Sequence, residues 1–337
     1  MDIRVSVIGA GSWGTTVAAL ASRNTPTMLW SRREELAQQI DQDHENGDYL
    51  AGFQLPAGLR ATADLERAVS GADVLVMGVP SHGFRGALEA VKPFLRPWVP
   101  VISLSKGLEI GTRLRMSQLV EEVLPGHPVG VLTGPNLAKE ILAGHAAASV
   151  IAMDDENVAR AIQALFKGDL FRVYTNEDIV GSELGGVLKN VIAIAAGMAD
   201  GLGAGDNTRA AVITRGLAEM TRIGVALGGD PMTFAGLTGM GDLVATCISP
   251  QSRNRFVGQC LGEGQKIDEI IATMNMVAEG VKTSKVVMEI ADEQGVELPI
   301  AAEVRGVCHE GRSATEAYDG LLNRGSTREM DSRSFGR

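Results

Sequence analysis

Ile3-Arg4-Val5-Ser6-Val7-Ile8-Gly9-Ala10-Gly11-Ser12-Trp13-Gly14 is the stretch that decides the fold. A β-branched run stops at a glycine turn, and residues 15–21 continue as helix formers, so the segment reads strand, turn, helix. In the spacing Gly9-x-Gly11-x-x-Gly14 the first glycine makes the tight turn, the second lets backbone approach a pyrophosphate, and the third lets helix pack on strand. The amides and dipole of the helix N-terminus then favour the phosphates of a dinucleotide.

Outward from this unit, residues 27–30, 73–79, 99–103, 129–132 and 148–152 form short apolar runs separated by helix-length segments. Such alternation predicts a mostly parallel, doubly wound sheet of Rossmann type with helices on both faces. After Phe171-Arg172-Val173-Tyr174 the strand signals stop and the pattern is helical. The expected organisation is an α/β dinucleotide-binding domain over 1–178 and an all-helical substrate and catalytic domain over 179–322. A polar tail over 323–337, rich in Arg and Ser, is expected to be disordered.

Where an acid would bond the ribose of NAD, at the end of the second strand, the chain has Ser31-Arg32-Arg33. Two arginines suit the 2′-phosphate of NADP, which is therefore expected as the preferred cofactor, with NAD as the second. A solvated helix start before Glu34 and Glu35 is the competing reading, although a cationic pair opposes the dipole there.

Residues 182–198 form an apolar helical run interrupted by Lys189, which shares its face with Gly185, Gly186, Ala193, Ala196 and Gly197. That small face is expected to leave room for a group to approach the amine; the alternative is a snorkelling lysine on a packed helix. Further on, the glycine loop at 236–243 leads to Ser249-Pro250-Gln251-Ser252-Arg253-Asn254. This reads as a helix with Ser249 as N-cap, Pro250 first, and Ser252, Arg253 and Asn254 in the opening turn, a set suited to a phosphate.

At 337 residues and 45% hydrophobic content the chain can fill two cores. A net charge of −10 argues against nucleic acid or an anionic membrane as partner and favours a small phosphorylated metabolite held by a local basic cluster. Cys247, Cys260 and Cys308 form no close pair, and the five histidines have no neighbours at ligand spacing, so reduced thiols and no metal are expected. No signal segment is read at the N-terminus, and apolar stretches are expected to fall short of about 18 residues, which predicts a cytoplasmic chain with no membrane span. A homodimer is left open.

With these pieces placed, the chain resembles the bacterial-type NAD(P)-dependent glycerol-3-phosphate dehydrogenases up to about residue 322. The resemblance rests on the glycine turn through Thr15, Ser105-Lys106-Gly107-Leu108-Glu109, Gly134-Pro135-Asn136, residues 183–190, Gly239-Met240-Gly241-Asp242-Leu243, Ser252-Arg253-Asn254 and Val277-Ala278-Glu279-Gly280, in order. It implies that Lys189 is the proton donor and acceptor, and that Lys106, Gly134, Asn136, Asp242, Ser252, Arg253 and Asn254 hold substrate. It also implies that Ser12, Trp13, Arg32, Tyr49, Lys106, Ala138, Arg253, Val277 and Glu279 meet the cofactor, with Arg33 beside them. The implied reaction is hydride transfer between NAD(P)H and dihydroxyacetone phosphate, giving sn-glycerol 3-phosphate for glycerophospholipid synthesis. Two departures are Asn136, where the family usually has a hydroxyl, and Tyr49-Leu50-Ala51-Gly52, where it usually has Tyr-Leu-Pro-Gly. A two-domain β-hydroxyacid dehydrogenase is the runner-up, lacking need of the phosphate site; a silent NADP(H)-binding sensor is the alternative from another class.

Overall fold

The computed structural model describes residues 3–274 and 278–325 and divides into two compact units after Ile179. The first is built on eight strands: β1 Val5–Ile8, β2 Thr27–Trp30, β3 Leu59–Thr62, β4 Val74–Met77, β5 Val101–Ser103, β6 Val129–Thr133, β7 Ala147–Met153 and β8 Phe171–Asn176. Their order is β3-β2-β1-β4-β5-β6-β7-β8, parallel throughout except between β6 and β7. The first six follow the order of the Rossmann fold, with its topological switch point between β1 and β4.

Both faces of this sheet are covered, which is why its strands are apolar runs rather than alternating ones. Along β4, Val74 and Val76 join one buried cluster with Val17, Leu20, Ile162 and Phe166, while Leu75 and Met77 join another with Phe84, Leu88, Leu119 and Val120. The edge strand β3 escapes sequence reading because Leu59-Arg60-Ala61-Thr62 has little β character. It is held from outside: Asp41 accepts two bonds from the Arg60 guanidinium, each 2.8 Å, and one from the Ala61 amide at 2.9 Å.

The second unit is helical among its described residues, and its core is the helix Ile179–Gly201. This helix corrects one sequence expectation, since its 23 residues include an 18-residue window of mean hydropathy 1.5, long and apolar enough to span a bilayer. The same window is 94% buried inside the protein, so it serves as the core of a packed unit. The small face around Lys189 is likewise used differently from expectation. A Cβ on Gly185 would lie 2.4 Å from the Thr238 carbonyl oxygen, and one on Gly197 would lie 2.0 Å from that of Arg255. At these two positions the missing side chains admit neighbouring backbone.

Gly197 belongs to a reciprocal set. Cβ atoms on Gly201, Gly258 and Gly262 would meet the carbonyl oxygens of Gln259, Ile194 and Met198 at 2.2, 2.0 and 2.4 Å. Two Gly-x-x-x-Gly pairs therefore bring the helices Ile179–Gly201 and Arg253–Gly262 into backbone contact. Asp200 fastens the same crossing through an ion pair at 2.7 Å to Arg255, and a second at 2.7 Å ties it to Arg209 on the helix Asp206–Ala226. At the far end, Arg324 pairs with Glu297 at 3.1 Å, and the expected disordered tail lies, beyond residue 325, outside the described residues.

A buried acid holds another helix start. The helix Pro299–His309 has no side-chain cap of its own; instead Glu219 accepts the amides of Ile300 and Ala301 at 2.7 and 3.2 Å. Glu219 is the one charged wall of a small cavity lined by Leu188, Val191, Ile192, Val287 and Leu298. Burial pushes its carboxyl up to about 7 against the two amides, Arg222 and Arg215, which favour the anion. Below the ordinary carboxylate range Glu219 is protonated folded or unfolded; between about 4.5 and 7 only the folded chain holds the proton, so stability falls as pH rises through that window. At one pH unit per 1.36 kcal/mol the loss is about 3 kcal/mol, and the wild-type Tm is expected to fall relative to that of Glu219→Gln over this range and to run parallel above it. Parallel melting profiles at every pH would show that Glu219 is not held protonated.

Candidate active site

In the first unit, the sequence-derived residues gather at the carboxyl ends of the parallel strands. Gly9 follows β1 with φ +114°, a conformation that favours glycine, and its amide donates to the Trp30 carbonyl at 3.0 Å. A Cβ on Gly14 would lie 2.1 Å from the Gly9 oxygen, and one on Gly9 would lie 2.6 Å from that of Gly78 after β4. At Gly11 a Cβ would meet nothing within 4 Å among the described residues, which leaves the turn open to an approaching group. The helix Ser12–Ala21 behind it has no side-chain cap and no acid in its first turn. Beside it the Trp13 indole nitrogen is buried without a hydrogen-bond partner among the described residues. An open turn, uncapped amides and an orphaned donor fit the pyrophosphate of a dinucleotide.

Asn46, which sequence reading missed, ties a second loop to this turn. Fully buried, it donates to the Ala10 carbonyl at 3.0 Å and to the Thr15 hydroxyl at 2.8 Å, and its oxygen accepts the Tyr49 amide at 3.3 Å. The tyrosine ring lies under the Arg33 guanidinium, 6.0 Å from centroid to carbon, and Arg33 pairs with Asp48 at 2.5 Å. Arg32 is exposed and makes no hydrogen bond or ion pair among the described residues.

After β5, half-buried Lys106 donates to the Gly134 carbonyl at 2.9 Å. Its loop is stapled by Glu109, which accepts both arms of Arg85 at 2.7 and 2.8 Å; that guanidinium holds the Glu109 carboxyl below the usual carboxylate range. Gly134 has φ +129°, and Asn136 donates to Ser149 at 3.1 Å while its own oxygen is buried without a partner. Ala138 opens the short helix Ala138–Leu142.

The second unit holds Lys189. The residue is 6% exposed, and its ammonium donates to Asp242 Oδ1 at 2.8 Å and to Thr246 Oγ1 at 2.5 Å. Both partners stand one turn apart on the helix Asp242–Ile248, and Thr246 donates in turn to the Asp242 carbonyl at 2.6 Å. The glycine loop read before this helix is a π-helical turn, Leu237–Gly241, closed by a bond from the Gly241 amide to the Gly236 carbonyl at 3.1 Å. It lies against the lysine helix where Gly185 lacks a side chain, and so delivers Asp242 to Lys189. Cys247, next in sequence, is buried and its thiol is pushed up to about 12 by desolvation, which leaves it unreactive.

The helix after Ser249 starts later than its sequence suggests. Ser249 accepts the Gln251 amide at 3.1 Å in a local turn, and Ser252 is the N-cap, accepting the Arg255 amide at 3.2 Å. Pro250 therefore lies outside the helix, because the hydroxyl three residues before a free amide outcompetes it. Arg253 stands at the first helical position, its backbone end open to solvent and its guanidinium crowded by protein; that desolvation draws its pKa below the ordinary value and Glu279 opposes this, the guanidinium remaining a cation throughout. Asn254 is engaged on both side-chain atoms, donating to Asn190 at 3.0 Å and accepting the Gly280 amide at 2.9 Å. Glu279 opens the helix Glu279–Gln294, and Val277 lies outside the described residues. Among the described residues no group of three His, Cys, Asp or Glu could hold a metal.

Comparison with known proteins bears on this arrangement. The model of the NAD-dependent glycerol-3-phosphate dehydrogenase N-terminus matches residues 4–159, and that of the C-terminus matches residues 178–319. A glycerol-3-phosphate dehydrogenase [NAD(P)+] of Sphingopyxis alaskensis is 63% identical over 322 residues, covering 96% of this chain and 97% of its own. One from Mycobacterium avium is 57% identical, over 95% and 94%. The crystal structure of glycerol-3-phosphate dehydrogenase from Coxiella burnetii superposes with a TM-score of 0.91 at 35% identity, covering 96% and 99%. With both halves matched in order and relatives of this identity over nearly the whole length, the chain belongs to the NAD-dependent glycerol-3-phosphate dehydrogenase family.

Proposed function

We infer that the protein is an sn-glycerol-3-phosphate dehydrogenase, interconverting dihydroxyacetone phosphate and sn-glycerol 3-phosphate with NADPH in preference to NADH. The observation that carries this reading is the buried Lys189 ammonium, oriented by Asp242 and Thr246 on a helix matched to the family's C-terminal half. When bound, the reduced nicotinamide supplies the hydride that reaches the carbonyl carbon. The developing alkoxide needs a cation and a proton, and Lys189 Nζ provides both, stabilising charge before it transfers the proton. Asp242 and Thr246 fix the ammonium so that little reorganisation is needed at that moment.

Arg253 at its helix N-terminus supplies the charge-assisted contact for the substrate phosphate, with Ser252 beside it. Asn254, whose side chain is spent on Asn190 and Gly280, acts by holding that helix start against the lysine helix. Lys106, Gly134 and Asn136 complete the substrate contacts of the first unit. Gly9, Gly11, Ser12, Trp13 and Gly14 receive the pyrophosphate, and Ala138, Val277 and Glu279 remain proposed cofactor contacts. The buried free thiols Cys247, Cys260 and Cys308 fit a reducing, cytoplasmic setting, and the product is the backbone precursor of glycerophospholipids.

Loss of absorbance at 340 nm with dihydroxyacetone phosphate and each reduced cofactor tests the reaction. No turnover with either cofactor, or equal use of unphosphorylated dihydroxyacetone, would reject it. Lys189→Met is expected to lower kcat by at least about 100-fold with NADPH affinity near wild type, since only the proton-transferring group is lost. Because this substitution strands Asp242, Tm is measured alongside, and near-normal turnover by folded variant would remove Lys189 from catalysis.

Arg253→Ala should raise KM for dihydroxyacetone phosphate strongly, a charge-assisted hydrogen bond being worth about 1.5 to 3 kcal/mol. An unchanged KM would place the phosphate elsewhere. For cofactor choice, one partly exposed guanidinium contact predicts a wild-type preference for NADPH of roughly 5- to 30-fold in kcat/KM. Arg32→Ala should bring the two cofactors close to parity by weakening NADPH alone; an unchanged ratio would exclude Arg32 from the cofactor site.

A further inference from the structure

The second arginine after β2 is not equivalent to the first. Arg33 is bound to Asp48 at 2.5 Å, with both side chains about half exposed, and the carboxylate raises the pKa of the guanidinium. Asp48 does not lie on a loose loop. It sits in the short helix Gly47–Leu50, whose start is capped by Asn46, and Asn46 is bonded to Ala10 in the glycine turn and to Thr15 in the helix that follows. The Gly47 amide adds a bond to Gln39 at 3.2 Å. Asp48 is therefore fixed relative to the turn that receives the dinucleotide.

This placement returns a carboxylate to a region where the end of β2 itself carries none. We propose that Asp48 sets cofactor discrimination, by pairing with Arg33 and withholding that guanidinium from the 2′-phosphate, so that Arg32 alone provides the preference for NADP. The inference rests on the proposed NADP-binding role of this region. It accounts physically for dual use of NADP and NAD, since one cation recognises the phosphate while the other is neutralised in place. An exposed ion pair is weak and competes with solvent, so the withheld arginine remains within reach of a change at a single position.

The test is binding of oxidised NADP and NAD, each titrated calorimetrically without substrate, to wild type, Asp48→Ala, Arg33→Ala and the double variant. In Asp48→Ala the Kd for NADP is expected to fall by about 3- to 10-fold with little change for NAD, and the gain should shrink in high salt. In the Arg33→Ala background the same substitution should give no such gain, because the released group is absent. An unchanged or weaker Kd for NADP in Asp48→Ala overturns the proposal, and so does an equal gain without Arg33, which would reduce Asp48 to a nearby negative charge. Failure of the dehydrogenase reading would appear in the 340 nm assay, which does not enter this comparison.

Discussion

The helical unit depends on a contact from which side chains have been removed. Where the helices Ile179–Gly201 and Arg253–Gly262 cross, four glycines let each backbone touch the other's carbonyl oxygens, and any Cβ there would sit 2.0 to 2.4 Å from one. Glycine in a helix interior costs about 0.5 to 1 kcal/mol against alanine, so the sequence accepts a weaker helix pair in isolation for a closer one in the fold. The gain is positional. A crossing limited by backbone atoms cannot slide by a rotamer change, so the register between Lys189 on one helix and Arg253 at the start of the other is set by the main chain.

A buried ammonium needs partners, because leaving a charge uncompensated inside a protein costs several kcal/mol. Here they come from a distant segment, and the π-helical turn Leu237–Gly241 explains how they arrive. One extra residue in that turn sets the orientation of the helix Asp242–Ile248, and Gly185 provides the hollow into which Thr238 presses. Local irregularity in one segment and a missing side chain in another together make a single hydrogen-bonded group of Lys189, Asp242 and Thr246.

Much of this was legible from residue order. The glycine turn, the apolar strands and the switch to helical periodicity are local patterns, and they suffice for the doubly wound sheet and the helical second half. Lys189 stood out because a lone cation in an apolar run is chemically conspicuous. The strand β3 did not, since Arg60 and Ala61 are held there by Asp41 rather than by their own propensity. The start of the Arg253 helix was misplaced because Ser249-Pro250 and Ser252 compete as caps and only geometry decides between them. Thr246 and Asn46 were missed for a deeper reason. Their partners lie 57 and 31 residues away, and no periodicity marks such pairs.

The orphaned indole nitrogen of Trp13 gives the protein an optical consequence. Of its three tryptophans, Trp98 is 76% exposed and emits as a solvated indole, while Trp30 already donates to the Ala63 carbonyl at 2.9 Å. Among the described residues Trp13 alone combines a half-buried ring with an unmet donor, and it does so in the first turn of the helix that Gly11 precedes. Nucleotide bound at the proposed glycine turn would change the polarity around this indole, with distant, solvated Trp98 as the internal reference, so the chain would carry its own emission gauge of occupancy.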